Sequence, residues 1–342
     1  MSFIDTLPKA ELHVHLEGTL EPEQMFQLAA RNGVGLPWDS AEALRAEFTF
    51  TGLEHFLRLY TEGCRVLCTR QDFYDLAAAY LRRSAAEGVL RAEVFFAPQN
   101  FLDRDIPVTE QFGGVLDAID DARADTGIDG AMLVIAQRHR TEAAALELLE
   151  AVRPFRDRIL GVGLGSAERG NPPSKFARFF TAARAEGYRL TCHAGEEGPP
   201  SYIREALDVC GVERIDHGYA ATQDPDLVTR LADDGVPLTM CPLSNLRLQV
   251  TSDLSTYPLA DLMKAGVLVT VNSDDPPYFG GYVNDNYAAL ERHLGLGNAE
   301  LAALARNSFA GSFGDRSAVD RGLTAVDDHE PPAEVTAGAG WR

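Results

Sequence analysis

The sequence predicts a (β/α)8 barrel on three observations: eight strand-like apolar runs, helical stretches between them, and polar residues gathered where the runs end. The runs are 11–18, 91–98, 131–138, 159–166, 190–196, 214–219, 237–245 and 268–275. Between them, 72–87, 141–155, 175–186 and 226–234 carry apolar residues at three- and four-residue spacing, the period of a helix with one buried face. The first run holds His13 and His15. Alternate residues of a strand share a face, so both imidazoles point one way and form half of a transition-metal site. The long segment 21–88 has room for two or three inserted helices. Its Phe48, Phe50, Phe56, Leu59 and Tyr60 are placed to cover the C-terminal mouth of the barrel. The expected catalytic domain is 1–321. The Pro-, Gly- and acid-rich stretch 322–342 reads as a disordered tail.

Composition narrows the function. The chain has 342 residues and a net charge of −20, which repels phosphate backbones and anionic lipid, so nucleic-acid and membrane partners are not expected. No run of about 18 apolar residues exists to span a bilayer. Five cysteines (Cys64, Cys68, Cys192, Cys210 and Cys241) at scattered positions, with no secretory signal, point to reduced thiols in a cytoplasm. No Cys-x-x-Cys pair is present, so nitrogen and oxygen ligands are expected for any metal.

The polar strand ends fall into one constellation. His13 and His15 close the first strand, His193 the fifth, His217 the sixth, and Asp274 with Asp275 the eighth. In a barrel these ends ring one mouth, where catalytic groups of this architecture sit. Three histidines and a carboxylate suit Zn2+ with an open position for water. The chain has only three lysines, Lys9, Lys175 and Lys264, and none stands at the end of the fourth strand to bridge a second metal. One metal is expected.

These residues carry a resemblance. The segments Leu12-His13-Val14-His15-Leu16-Glu17-Gly18, His193-Ala194-Gly195-Glu196, Asp216-His217-Gly218, Cys241-Pro242-Leu243-Ser244-Asn245 and Asn272-Ser273-Asp274-Asp275-Pro276 resemble the adenosine and adenine deaminase family of barrel metalloenzymes, over about residues 7–313. The resemblance implies that His13, His15, His193 and Asp274 bind zinc. It implies that His217 and Asp274 orient and deprotonate a water, that Glu196 protonates purine N1, and that Asp275 meets N7. Glu196 then needs a raised pKa in a dry pocket.

The choice among aminopurines rests on smaller signs. Glu17 stands where adenosine-specific members usually have Asp, and Ser166 where they place a glycine against the base. The segments around Gly165-Ser166 and Gly195-Glu196-Glu197-Gly198 are similar to the free-base branch, in which Gly165, Ser166 and Glu17 would line the substrate's far edge. Adenine is the favoured substrate. Two departures keep adenosine, an N6-substituted adenine or another 6-aminopurine open. That branch usually reads Asp-Pro-Gln-Thr-His where this chain has Ala97-Pro98-Gln99-Asn100-Phe101, and usually has Asp where Gly165 stands. Gaining Phe101 and losing an acid is expected to leave a roomier, more apolar pocket. A catalytically inactive barrel acting as a binding module is the competing non-enzymatic reading, weakened by the completeness of the site; hydrolysis of an amide or ester would use the same metal. The expected partner is a small aminopurine, with self-association left open.

Overall fold

The computed structural model describes residues 2–329. Eight parallel strands run in sequence order: β1 (Lys9–His15), β2 (Val89–Phe96), β3 (Asp129–Gln137), β4 (Ile159–Gly165), β5 (Arg189–Ala194), β6 (Arg214–His217), β7 (Leu238–Met240) and β8 (Val269–Val271). The ring closes where Val14 bridges to Asp274. There His15 N donates to Asp274 O (2.9 Å), Asp274 N to His13 O (3.0 Å) and Leu12 N to Asn272 Oδ1 (2.8 Å). Both faces of such strands are covered, which explains runs such as Met132–Ala136 with no polar alternation. Register carries the ends to one level: His193 pairs with Asp216, Ala194 with His217, and Gln137 with Gly165.

The segment after β1 holds four helices, Pro22–Asn32, Ala41–Ala46, Leu53–Cys64 and Arg70–Ala86, more than the two or three expected from sequence. The extra one is the short Ala41–Ala46, which buries only Leu44 and so leaves little apolar periodicity to read. Asp72 ties the insert together. It caps Arg70–Ala86 by accepting from Thr69 N (2.8 Å) and also takes Cys68 N (2.9 Å) and Asn32 Nδ2 (2.8 Å). Helix Leu53–Cys64 lies across the mouth, with Phe56 against Tyr278 and Phe279 at ring separations of 5.3 and 4.8 Å.

The tail expected from Gly322 is displaced. Gly322–Asp327 is the second half of helix Arg316–Asp327, capped by Asp315, whose Oδ1 accepts from Ala318 N (2.8 Å). Gly322 lies so close to Phe309 that an added Cβ would sit 2.1 Å from its ring, and Val326 is buried. The remainder of that expectation, 330–342, lies outside the described residues. Among the described residues no helix is long and apolar enough to cross a membrane, and the five cysteines are unpaired.

Polar residues fill part of the barrel axis. Glu93 accepts from Arg214 Nη1 (2.6 Å), Arg91 Nε (2.9 Å) and Phe313 N (2.7 Å), and Arg214 Nε lies 3.7 Å from Asp216 Oδ1. Arg214, Glu93 and Asp216 are wholly buried. Phe313 plugs the lower end against Phe95, Leu133 and Ile135, under the Arg214 guanidinium at 4.1 Å. Arg214→Leu leaves two buried carboxylates short of their cation. It is expected to cost about 3–5 kcal/mol, read as a fall in calorimetric Tm on the order of 10 °C.

Candidate metal and substrate site

Two strand residues and several strand ends build the site. His13 and His15 project from β1 as their spacing requires; His13 is wholly buried and His15 partly so. At the ends of β4, β6 and β8, Ser166, His217 and Asp274 hold φ of +76°, +65° and +65°. Left-handed backbone is costly for residues with a Cβ, and it persists where the surroundings fix it. Here the turn directs each of the three side chains into the mouth, where Ser166, His217 and Asp274 share one cavity wall.

The donor atoms converge. Asp274 Oδ1 is 3.4 Å from His13 Nε2 and 3.5 Å from His15 Nε2, and His15 Nε2 is 3.1 Å from His193 Nε2. His13, His15 and His193 each offer a nitrogen within 4.8 Å of the other two. His13 Nε2 is buried with no hydrogen-bond partner among the described residues. An orphaned imidazole nitrogen facing a carboxylate and two more imidazoles is a donor set that fits one divalent transition ion.

A further layer orients these ligands. His13 Nδ1 lies 2.9 Å from Thr239 Oγ1, and His193 Nδ1 lies 3.3 Å from Asp216 Oδ2. Asp216 also accepts from Thr191 Oγ1 (2.8 Å) and Thr239 Oγ1 (3.1 Å). Ser244 Oγ donates to Asp274 Oδ2 at 2.6 Å. Such partners fix the tautomer and rotamer of a metal ligand. Burial lowers the pKa of His15 to about 3 and pulls His193 down as well, so both imidazoles are neutral, the form that coordinates. Burial opposes the charge on Asp274, but the close approach of His13, with His217 and His15 beside it, outweighs burial and holds the carboxyl well below its ordinary value.

Three other carboxyls move the opposite way. Burial, then the Asp274 charge, pushes Glu196 and Asp275 well above the ordinary range, and burial pushes Glu17 up to about 7. Glu196 Oε2 lies 3.5 Å from His217 Nε2, which is 4.0 Å from Asp274 Oδ2. Burial also drives His217 well below its usual pKa, so it stands as a neutral base. Asp275 passes close over Gly18, where a Cβ would meet Asp275 Oδ1 at 1.7 Å; only glycine fits there.

These groups face a cavity of about 220 Å³. Its walls are Leu53, Phe56, Leu57, Tyr60, Leu248 and Phe279 on the apolar side, and His15, His193, Glu196, His217, Asp274 and Asp275 on the reactive side. Ser166 lines it and pairs with His139 Nδ1 (2.9 Å). Gly165 and Glu17 do not line it. Gly165 packs beneath, against Ile135 and His193. The Glu17 carboxylate instead holds Ala97 N (2.8 Å) and Asn100 Nδ2 (3.4 Å). Phe101 also fails its expectation. It is wholly buried away from the cavity, with its ring centroid 5.7 Å from Phe96 in a stacked pair and 4.9 Å from Phe73 edge-on, so it does not widen the pocket. Of the departures in that segment, Ala97 and Asn100 reach the wall.

Sequence reasoning passed over Asp216 and Ser244, although both stand inside motif segments, and over Thr239, Gln137 and His139. It also passed over Glu168, whose carboxylate gathers Gly195 N (2.7 Å), Glu197 N and Gly198 N (both 2.8 Å) and so shapes the loop bearing Glu196. Position at a strand end was the available signal for Gln137 and His139.

Comparison with known proteins agrees with this geometry. The family model described as adenosine deaminase matches residues 8–329. A protein named adenine deaminase from Rhodopseudomonas palustris is 50% identical over 328 residues, covering 96% of each chain. The crystal structure of adenine deaminase from Arthrobacter aurescens superposes with a TM-score of 0.93 at 46% identity, over 94% of this chain and 98% of that one. An amidohydrolase from Burkhoderia ambifaria, solved with bound Zn, gives 0.88 at 27% identity over 95% and 91%.

Replacing Asp216 by Asn removes the negative partner of His193 Nδ1. Metal retention, followed by chelator competition, is expected to weaken about 10–100-fold.

Proposed function

The chain belongs to the adenosine deaminase family, and from that membership and the geometry of its mouth we propose that it hydrolyses adenine to hypoxanthine and ammonia, in purine salvage. It is a hydrolytic deaminase. The observation that carries the substrate class is the grouping of a neutral histidine, one ionised carboxylate and two protonated carboxyls around a single small cavity. The names of its half-identical relatives support adenine in particular.

We assign Zn2+ to His13, His15, His193 and Asp274, with the Burkhoderia relative's bound Zn in support. Bound there, zinc supplies Lewis acidity that makes water a nucleophile near neutral pH. The protein's own residues do the rest. Glu196, protonated, gives its proton to N1 and so makes the adjacent C6 electron-poor. His217, neutral and 4.0 Å from Asp274 Oδ2, orients the attacking water with Asp274 and takes up its proton. Asp275, protonated, donates to N7. The proton removed from water goes to the departing amino group, and the hydroxyl left on C6 returns its proton to Glu196 as the carbonyl forms, so adenine plus water gives hypoxanthine plus ammonia. The apolar wall built by Leu53, Phe56 and Phe279 excludes bulk water and keeps both acids un-ionised.

Ser166 and Asn100, the latter backed by the Glu17 carboxylate, line the side of the cavity a ribose would need, which supports the free base. The N6-substituted alternative loses its main support with Phe101 turned away from the cavity. Unpaired cysteines support a cytoplasmic location.

Ammonia release from zinc-loaded protein should be far faster with adenine than with adenosine or N6-methyladenine; a faster reaction with adenosine would reverse the assignment. Glu196→Gln should retain metal by elemental analysis while kcat falls by about 10²–10⁴. The folded-state pKa of Glu196 is raised, so the acid is present below that value and lost above it. kcat/KM should therefore fall on the alkaline limb, and in Glu196→Gln that limb should disappear.

A further inference from the structure

Seating an aminopurine in the cavity determines which wall meets which ring atom. This step rests on the deamination of adenine proposed above. C6 faces the His13–His15–His193–Asp274 cluster, N1 faces Glu196 beyond β5, and N7 faces Asp275 beyond β8. The strands close in sequence order. Passing around the purine from N1 through N3 and N9 to N7 therefore passes around the mouth from β5 back through β4, β3 and β2 to the β1–β8 seam. The N3–N9 edge falls over the ends of β3 and β2. There the wall presents Gln137, the last residue of β3, and Asn100, in the turn of helix that follows β2.

The orientation of both amides follows from their partners. Arg140 Nε donates to Gln137 Oε1 at 2.7 Å; a guanidinium can only donate, so the Gln137 oxygen faces it and the nitrogen faces away. That nitrogen donates to Asn100 Oδ1 at 2.5 Å. Asn100 Nδ2 in turn donates to Tyr60 OH (3.3 Å) and Glu17 Oε1 (3.4 Å). The chain runs from a cation to a carboxyl group with every donor pointing the same way. It leaves one Nε2 hydrogen on Gln137 and one lone pair on Asn100 Oδ1, side by side on the cavity wall.

A donor beside an acceptor is the complement of one edge of free adenine, which offers the N3 lone pair next to the N9 hydrogen. We propose that Asn100 and Gln137 are the specificity-determining pair of this enzyme, Asn100 Oδ1 accepting from N9–H and Gln137 Nε2 donating to N3. A 9-substituted purine lacks that hydrogen. It would also drive its substituent into the amide pair and leave the second lone pair of the desolvated Asn100 Oδ1 without a donor, the circumstance in which hydrogen-bonding sites discriminate most strongly.

The test compares ammonia release from adenine and 9-methyladenine by the wild-type, Asn100→Ala and Gln137→Ala holoenzymes, with metal content and melting temperature as checks of the fold. Wild type should favour adenine by about 10³-fold or more. Asn100→Ala should lose about 10²-fold in kcat/KM on adenine while 9-methyladenine holds within about threefold or improves, so the preference collapses. Gln137→Ala should lower both substrates by a similar factor, because N3 is common to them. Asn100→Ser, which keeps a shorter acceptor, replaces the alanine variant if that one unfolds and should show an intermediate preference. An Asn100 variant that folds and retains the full wild-type preference overturns the proposal and leaves adenine deamination standing. A wild-type enzyme inert toward adenine overturns both.

Discussion

Everything at the mouth hangs on the seam where β8 meets β1. Asp274 is the residue that bridges to Val14, and its own backbone exchanges hydrogen bonds with His13 and His15. The bonds that close the barrel are therefore the bonds that bring a carboxylate to two imidazoles. Glu11 reinforces the seam from behind: its buried carboxyl accepts from Ser273 N (3.0 Å) and Tyr80 OH (2.6 Å), fixing the backbone one residue ahead of Asp274. A barrel that failed to close would lose the metal site with it. Preorganisation here is a by-product of topology rather than a separate device.

The interior polar column extends that constraint downward. His193 leans on Asp216, Asp216 stands near Arg214, Arg214 on Glu93, and Glu93 on the backbone of Phe313 at the foot of the barrel. Buried ion pairs contribute little to stability in themselves, because desolvation consumes the Coulombic gain. Their value lies in position: each charge is held by several neighbours that fix its orientation. His193 is thus held by contacts that begin at the opposite end of the fold.

Much of this was legible in the sequence, for definite reasons. Parallel strands buried on both faces appear as unbroken apolar runs, so all eight could be read, and β4 and β6 began where expected. The convergence of His13, His15, His193 and Asp274 was legible because each stands at or just past a strand end and because His13 and His15 keep the two-residue period. The helix Ala41–Ala46 was not legible, since one buried leucine leaves no periodic signal. The tail was mistaken at its start because Gly322 suggests a break, whereas the close approach of Phe309 is what requires glycine there. Phe101 shows the limit most clearly: a residue four positions past a strand can face the pocket or the outer helices. Here Phe73, Phe96 and Phe112 form an aromatic cluster on the outer side that draws it away. Neither periodicity nor composition records that choice.

The division of labour among the carboxyls follows from unequal company. Glu196, Asp274 and Asp275 share one desolvated space, and in a low dielectric three negative charges so close cannot coexist. Which of them ionises is decided by partners. Asp274 has His13, His15 and His217 around it and the Ser244 hydroxyl on its second oxygen, so its charge is stabilised. Among the described residues Asp275 Oδ1 has no hydrogen-bond partner, and Glu196 has only His217 at 3.5 Å. Asp274 is therefore held well below the ordinary carboxyl range, while burial and then the Asp274 charge push Glu196 and Asp275 well above it. The proposed ligand, N1 acid and N7 donor differ, though chemically similar, because the seam delivers one of the three side chains to the histidines and leaves the others facing the cavity.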